Sequence, residues 1–215
     1  MKYNPNIHHR RSVRLKGYDY SQAGAYFITI CTKDKECFFG DIINGEMVFN
    51  DIGLIGVEYM NELQNHFSNV EIVEYVVMPN HVHCILVLSD TPVRTTTVEM
   101  PPDGTSHVGT SHVMSLPENI DNPVGTRHVV SLPNVVFTPY NENQFSKPIQ
   151  GSVSVIIQQY KASVKRWCNK NEHDYFVWQT RFHDHIIRND DSYQKISNYI
   201  FNNPSNWNED KLYKS

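Results

Sequence analysis

EIVEYVVMPNHVHCILVL, residues 71–88, decides the fold. Apolar residues run almost unbroken on either side of Pro79-Asn80, in stretches too short for helices and rich in β-branched side chains. The segment therefore reads as two strands joined by a tight turn, in which Pro79 presets φ and Asn80 tolerates an unusual backbone. Such uniform apolarity predicts strands covered on both faces, hence central ones. Within the second strand, His81-Val82-His83 puts two imidazoles on one side and Val82 on the other, because side chains alternate along a strand. The turn places that pair at the strand's opening end, within reach of a ligand.

Upstream, AYFITIC (residues 25–31) reads as a further strand. CFFGDIINGEMVF follows, and its Asn44-Gly45 between two apolar runs predicts a type I′ hairpin. Asn50 or Asp51 then caps a helix to about His66, with Ile52, Ile55, Tyr59 and Leu63 forming its buried stripe. Downstream, residues 90–148 are rich in Pro, Thr, Ser and Asn and carry the short repeats GTSHV, GTSHV and GTRHV. Units this small build no core, so the segment is expected to be a mobile insertion between residues 1–89 and 149–215 of one domain. Its His107, His112 and His128 read as a polar loop rather than a metal site.

SVSVIIQQYKASVKRWCNK restores a helical period, with Val153, Ile156, Ile157, Tyr160, Val164 and Trp167 on one stripe. Lys161, Lys165, Arg166 and Lys170 lie off it. A short strand at about 182–188 precedes a last helix capped by Asp190 or Asp191 and stopped by Pro204. The sum is α+β: an antiparallel sheet with helices packed on one face.

The 215 residues are 40% hydrophobic and carry a net charge of −4, which suits one domain plus an insertion and excludes a histone-like coat of positive charge. No apolar run reaches membrane-spanning length, and the N-terminus lacks the features of a signal peptide. Cys31, Cys37, Cys84 and Cys168 fit no zinc or disulfide spacing, so a cytoplasmic chain is expected. Two segments are locally basic: the N-terminal arm with Arg10, Arg11 and Arg14, and the helix carrying Lys161, Lys165, Arg166 and Lys170. Both suit an anionic partner.

Two imidazoles on one strand can hold a divalent ion and leave positions open; a solvated His pair is the plainer alternative. His183-Asp184-His185, in WQTRFHDHIIR, repeats the pattern and reads as a packing or DNA-contact segment. No serine-hydrolase or P-loop spacing is present. Tyr160 belongs to a core stripe. Tyr199 lies off the Ile196/Ile200 stripe and shares a helix face with Asn203, so one turn could offer a nucleophile and an amide ligand together.

VVMPNHVHCILVL, WQTRFHDHIIR and YIFNNPSNW, in that order, resemble the REP-associated tyrosine transposases of the HUH single-tyrosine superfamily, as does the block RLKGYDYSQAGAYFITICT…FFG. The similarity spans residues 10–89 and 148–208 and omits the repeats. It implies a ferredoxin-like sheet, the HUH nuclease core. It implies metal ligation by His81, His83 and Asn203, with Tyr199 as nucleophile and Mg²⁺ or Mn²⁺ as cofactor. The implied substrate is single-stranded DNA with palindromic hairpins, cut and rejoined through a 5′-phosphotyrosine bond by a monomer or homodimer in the cytoplasm, at the nucleoid. The two imidazoles tilt the metal toward Mn²⁺. Arg10, Arg11, Arg14, Lys161, Lys165, Arg166, Lys170, Arg181, His185 and Arg188 are then expected to contact DNA. Trp167, Trp178 and Trp207 are candidates for base stacking. The alternatives are a non-catalytic, domesticated DNA-binding module on the same sheet, and a histidine-triad nucleotide hydrolase, which wants a further His where this chain has Ile85.

Overall fold

A computed structural model describes residues 18–90 and 149–214; the Arg10, Arg11 and Arg14 arm and the repeat segment lie outside them. In chain order the described elements are strand β1 (Gly24–Cys31), the hairpin strands β2 (Gly40–Ile43) and β3 (Glu46–Phe49), and helix α1 (Asp51–His66). Strands β4 (Val70–Met78) and β5 (His81–Leu88), helix α2 (Val153–Lys170), strand β6 (His183–Ile187) and helix α3 (Asp190–Asn202) follow.

The main sheet is antiparallel throughout, in the order β4-β5-β1-β6. Setting the small hairpin aside, β1-α1-β4-β5-α2-β6 is the split β-α-β of a ferredoxin-like fold. The hairpin turns at Asn44 and Gly45, both at positive φ (55° and 82°), as an Asn-Gly type I′ turn requires.

β4 is an outer strand, not a central one. Its apolar sequence answers to cover on both faces rather than to a strand on either side: Tyr75 and Val77 join the cluster under α1 and α2, whereas Val73, Val76 and Met78 join the cluster under α3. The expectation that all helices share one face is corrected by the same observation. The two crossover helices do share a face. α3, which follows the ferredoxin-like unit, packs on the other through Tyr193, Ile196 and Ile200.

Register then fixes which side each strand residue serves. Tyr26, Ile28 and Ile30 of β1, with Val82, Cys84 and Leu86 of β5, pack under α1 and α2. Each such fully buried aliphatic contributes roughly 1.5–3 kcal/mol relative to exposure. The odd-numbered residues of β5, His81 and His83 among them, necessarily face α3.

Smaller differences have local causes. α1 begins at its Asn50 cap, which accepts from the Gly53 N–H at 3.0 Å. Its buried stripe is Ile52, Gly53, Gly56, Met60 and Leu63, leaving Ile55 and Tyr59 only half-buried. The stripe rotates toward the glycines because they permit close approach: a Cβ on Gly53 would lie 2.1 Å from the Phe39 carbonyl oxygen. α2 buries Cys168 in place of Trp167. The Tyr160 hydroxyl donates to the Gly56 carbonyl at 2.9 Å, locking α2 to α1. α3 is capped by Asn189, whose side chain accepts from Ser192 N–H, rather than by Asp190 or Asp191. Those two acids occupy the first turn, where they complement the helix dipole.

Candidate active site

His81 and His83 stand on the α3 face of β5 with ring centroids 4.4 Å apart. They are buried, at 0% and 3% exposure, so they form neither a solvated pair nor one open to approach from the strand end. What covers them is α3 and the segment after it. Trp207 lies over His81 at 6.0 Å between ring centroids, and the Tyr199 ring stands 5.2 Å from that of His83.

The hydrogen bonds assign the His81 tautomer. Asn80 Nδ2 donates to the carbonyls of Lys35 (3.2 Å) and Leu212 (2.8 Å), so its Oδ1 faces His81 Nδ1, at 2.8 Å, as an acceptor. His81 Nδ1 therefore carries the proton and Nε2 presents a lone pair. That Nε2 is buried and has no hydrogen-bond partner, and the same holds for Asn203 Oδ1. Two acceptors left bare in the interior are costly unless something electropositive fills the space between such groups.

His83 is held at the other ring nitrogen. Its Nδ1 lies 2.9 Å from the Thr29 hydroxyl, its cross-strand partner in register. Its Nε2 lies 3.2 Å from Tyr199 Oη. The Tyr199 hydroxyl donates to Asp210 Oδ2 at 2.8 Å, and Asn203 Nδ2 donates to the same oxygen at 2.8 Å. A hydroxyl can donate or accept, so Thr29 supports either tautomer of His83. The form with the proton on Nδ1 leaves Nε2 free to ligate.

Electrostatics follow from burial and these bonds. Burial lowers the His81 pKa to about 3, against a smaller opposing contribution from Asn203. Burial, reinforced by His81, takes His83 well below the ordinary imidazole value. Both rings are therefore neutral, the state a metal ligand needs. Burial alone would raise the Asp210 carboxyl, but hydrogen bonds from Leu212 N–H, Asn203 and Tyr199 outweigh it and hold the group below the usual range. Burial and the neighbouring Asp210 raise the Tyr199 phenol, so it is protonated as it stands.

One ligand atom each from His81, His83 and Asp210 lies within 4.8 Å of the others. The bare Nε2 and Oδ1 beside this cluster fit a divalent cation held by nitrogen and oxygen donors. Asp210, Thr29 and Asn80 are residues that sequence reasoning missed as site components. Asp210 sits in an undistinguished NWNEDKLYKS, Thr29 reads as an ordinary strand residue, and Asn80 reads only as a turn former.

The other expected contacts are dispersed. His185 is exposed on β6 opposite Phe27, which places it on the histidine-pair face, and Arg181 and Arg188 are exposed beside it. α2 lies across the sheet from that face. Lys161 donates to the carbonyls of Gln179 and Thr180, and Lys165 to those of Asp174 and Phe176, tying residues 174–180 to the helix. Arg166 and Lys170 point outward. Trp178 is half-buried and donates to the Lys161 carbonyl, and Trp207 is buried. Among the described residues, no helix is long and apolar enough to cross a membrane.

No protein-family profile matches the chain. A solved REP-associated tyrosine transposase bound to a REP hairpin is similar over 94% of this chain and 77% of that one, at 18% identity and a TM-score of 0.48. An uncharacterized protein of Haemophilus influenzae is 35% identical over 219 residues, covering 99% of this chain and 97% of that protein. With identity at that level sustained from end to end, the chain belongs to the same family as the Haemophilus influenzae protein.

Proposed function

We propose that this protein is a metal-dependent strand transferase that cuts single-stranded DNA at hairpins and holds the 5′ end as a phosphotyrosine on Tyr199. The observation that carries the reading is the 3.2 Å approach of the Tyr199 phenol to His83, with Asn203 delivered by the same helix. The phenol is half-exposed while the imidazole pair it lies against is buried, so a substrate can reach it beside the ligand atoms. The sequence resemblance of the three motifs points the same way.

His81, His83, Asn203 and Asp210 are the residues that would hold Mg²⁺ or Mn²⁺. When bound, such an ion supplies charge neutralisation for the phosphoryl oxygen and the departing 3′ oxygen. The chain's own groups do the rest. Asn80 and Thr29 fix the two ring orientations, and α3 carries the nucleophile and the amide ligand one turn apart. The Tyr199 hydroxyl hydrogen points at Asp210, which leaves the oxygen's lone pairs for phosphorus. As the Tyr199 O–P bond forms the P–O3′ bond breaks, and the phenolic proton passes by way of Asp210 to the departing 3′ oxygen. The 3′-hydroxyl of another strand then displaces the tyrosine, and the phosphodiester count is unchanged.

The test is a covalent adduct on hairpin DNA with Mn²⁺ that survives SDS. Tyr199→Phe is expected to abolish it; an adduct formed at full yield by that variant rejects the assignment. DNA binding with no adduct under Mg²⁺ or Mn²⁺ selects the non-catalytic binding module instead.

A further inference from the structure

A cleft of about 400 Å³ opens beside the histidine pair and takes no part in the chemistry above. That volume lies at the lower end of the ~300–1,000 Å³ that small-molecule pockets occupy. Trp207 is shared between the two places: it lines the cleft and also lies over the His81 ring. Pro79, Ile42 and Tyr213 supply the other flat or apolar surfaces, with the Tyr213 ring set edge-on to Trp207 at 5.3 Å and 69°. Proline and aromatic walls around a narrow space suit a planar heterocycle.

The polar lining separates a base from a phosphate. Lys214 is the cleft's cation, and it is ion-paired with Glu36. That leaves the exposed Asp41 carboxylate as the cleft's unpaired charge, with the Asn208 amide, the Tyr213 hydroxyl and the Cys37 thiol as neutral polar groups. A carboxylate repels a phosphate and accepts hydrogen bonds from an amino group. Adenine, cytosine and guanine carry an exocyclic amine on the Watson–Crick edge; thymine has none, and its single N3–H donor is flanked by two carbonyls that would crowd the Asp41 oxygens. Enzymes that take a base out of its stack read it by these means, stacking on flat side chains and bonding along that edge.

We propose that this cleft receives one unstacked, amino-bearing nucleobase from a single strand lying across the face of Tyr199, with Asp41 as the group that discriminates against thymine. The proposal rests on the single-stranded DNA reading of the neighbouring site and adds to it a specificity pocket. The position of Trp207, against His81 on one side and the cleft on the other, sets the pocketed base close to the phosphate under attack.

Fluorescence anisotropy of the full chain in EDTA, where no strand is cut, tests it with labelled oligo(dC), oligo(dA) and oligo(dT) of equal length. The dC–dT comparison is the sharper one, since both are pyrimidines of similar stacking area. Oligo(dC) is expected to bind about tenfold tighter than oligo(dT), and Asp41→Ala to bring the two near equality. Tyr213→Ala, which removes a wall and leaves Asp41 in place, should weaken all three. Equal binding of oligo(dC) and oligo(dT) to the unmodified chain, or a preference that survives Asp41→Ala, overturns the pocket. The two readings fail separately. Adduct formation on hairpin DNA without base preference rejects the pocket and keeps the transferase. A base preference lost in Asp41→Ala, with no adduct, keeps the pocket and rejects the transferase.

Discussion

Tyr199 and His83 are 116 residues apart in sequence and 3.2 Å apart at Oη and Nε2. The meeting depends on α3 lying across the sheet face that the crossover helices leave open, and on Tyr199 standing just off the stripe that packs there. The phenol is 43% exposed while the imidazole beneath it is buried, so the tyrosine is the outer group of the pair. The ring's edge-on contact with Phe27, at 6.2 Å, does not involve the hydroxyl. Tyr199→Phe should thus unfold within about 1 kcal/mol of the unmodified chain, as substitutions at half-exposed positions generally do, while losing the adduct entirely. Urea unfolding and an SDS gel separate the two effects; loss of adduct with a large loss of stability would make the tyrosine structural.

Asn203 is 2% exposed, donates one amide hydrogen to Asp210 and leaves Oδ1 without a partner. A buried amide that served only the fold would have both ends engaged. Asn203→Ala should therefore lower Mn²⁺ affinity by about tenfold or more at a stability cost of only about 1 kcal/mol, the worth of one hydrogen bond. Titration calorimetry with Mn²⁺ checks this, and unchanged affinity removes Asn203 from the ligand set.

Thr29 acts through His83. Its hydroxyl is the partner of the buried Nδ1 at 2.9 Å, and valine would keep its shape while removing that bond. Thr29→Val should weaken Mn²⁺ binding about 10–100-fold, the usual effect of losing a group that orients a ligating histidine, and Thr29→Ser should restore most of it. Equal weakening by serine and valine would trace the effect to packing instead.

The turn residues, the strand period and the helix faces made most of this fold legible. Asn44-Gly45 specifies its hairpin outright because a type I′ turn needs positive φ at both positions. The pairing of His81 with His83, and of Tyr199 with Asn203, follows from strand and helix periods alone. The side of the sheet on which α3 packs was not legible, because an amphipathic helix after the last strand can close over either face. β4 misled for a related reason: a strand covered above and below has the same apolar composition whether or not a neighbour flanks it. Asp210 reaches the site through the chain's path beyond α3, which no local pattern records. Lys161 and Lys165 look like free cations on a helical projection, and only the fold of residues 174–180 shows that they are occupied.

Gly53 and Gly56 make a paired test of how the site's turn is held. A Cβ at Gly53 would sit 2.1 Å from the Phe39 carbonyl oxygen, a backbone atom that cannot swing away, and Phe39 N–H bonds the carbonyl of Pro79 at the turn before His81. At Gly56 the nearest atoms would be 3.5 Å away or more, an ordinary contact. Replacing glycine by alanine inside a helix normally stabilises by roughly 0.5–1 kcal/mol. Gly56→Ala should follow that rule, whereas Gly53→Ala should destabilise by about 1–3 kcal/mol through overpacking. Equal effects from the two substitutions, measured by chemical denaturation, would mean that α1 can slide on Phe39.

The buried histidines also set how stability depends on acidity. In the unfolded chain each titrates near 6.5. In the folded chain burial holds His81 to about 3 and His83 well below its ordinary value. Below about pH 6.5 the unfolded state therefore binds protons that the folded state refuses, and the fold loses about 1.4 kcal/mol per pH unit for each such ring. The loss begins as pH falls through 6.5, not at the carboxylate range, and for His81 it continues down to about 3. Asp210, whose carboxyl is held low, adds a loss of the same sign only at more acidic pH. Urea midpoints measured across the range from neutral to mildly acidic pH should fall steadily, and His83→Gln should reduce the slope by about one ring's share. A flat profile between about pH 7 and 5.5 would mean that the imidazoles take up protons in the folded state, and that the closed cover over them opens readily to water.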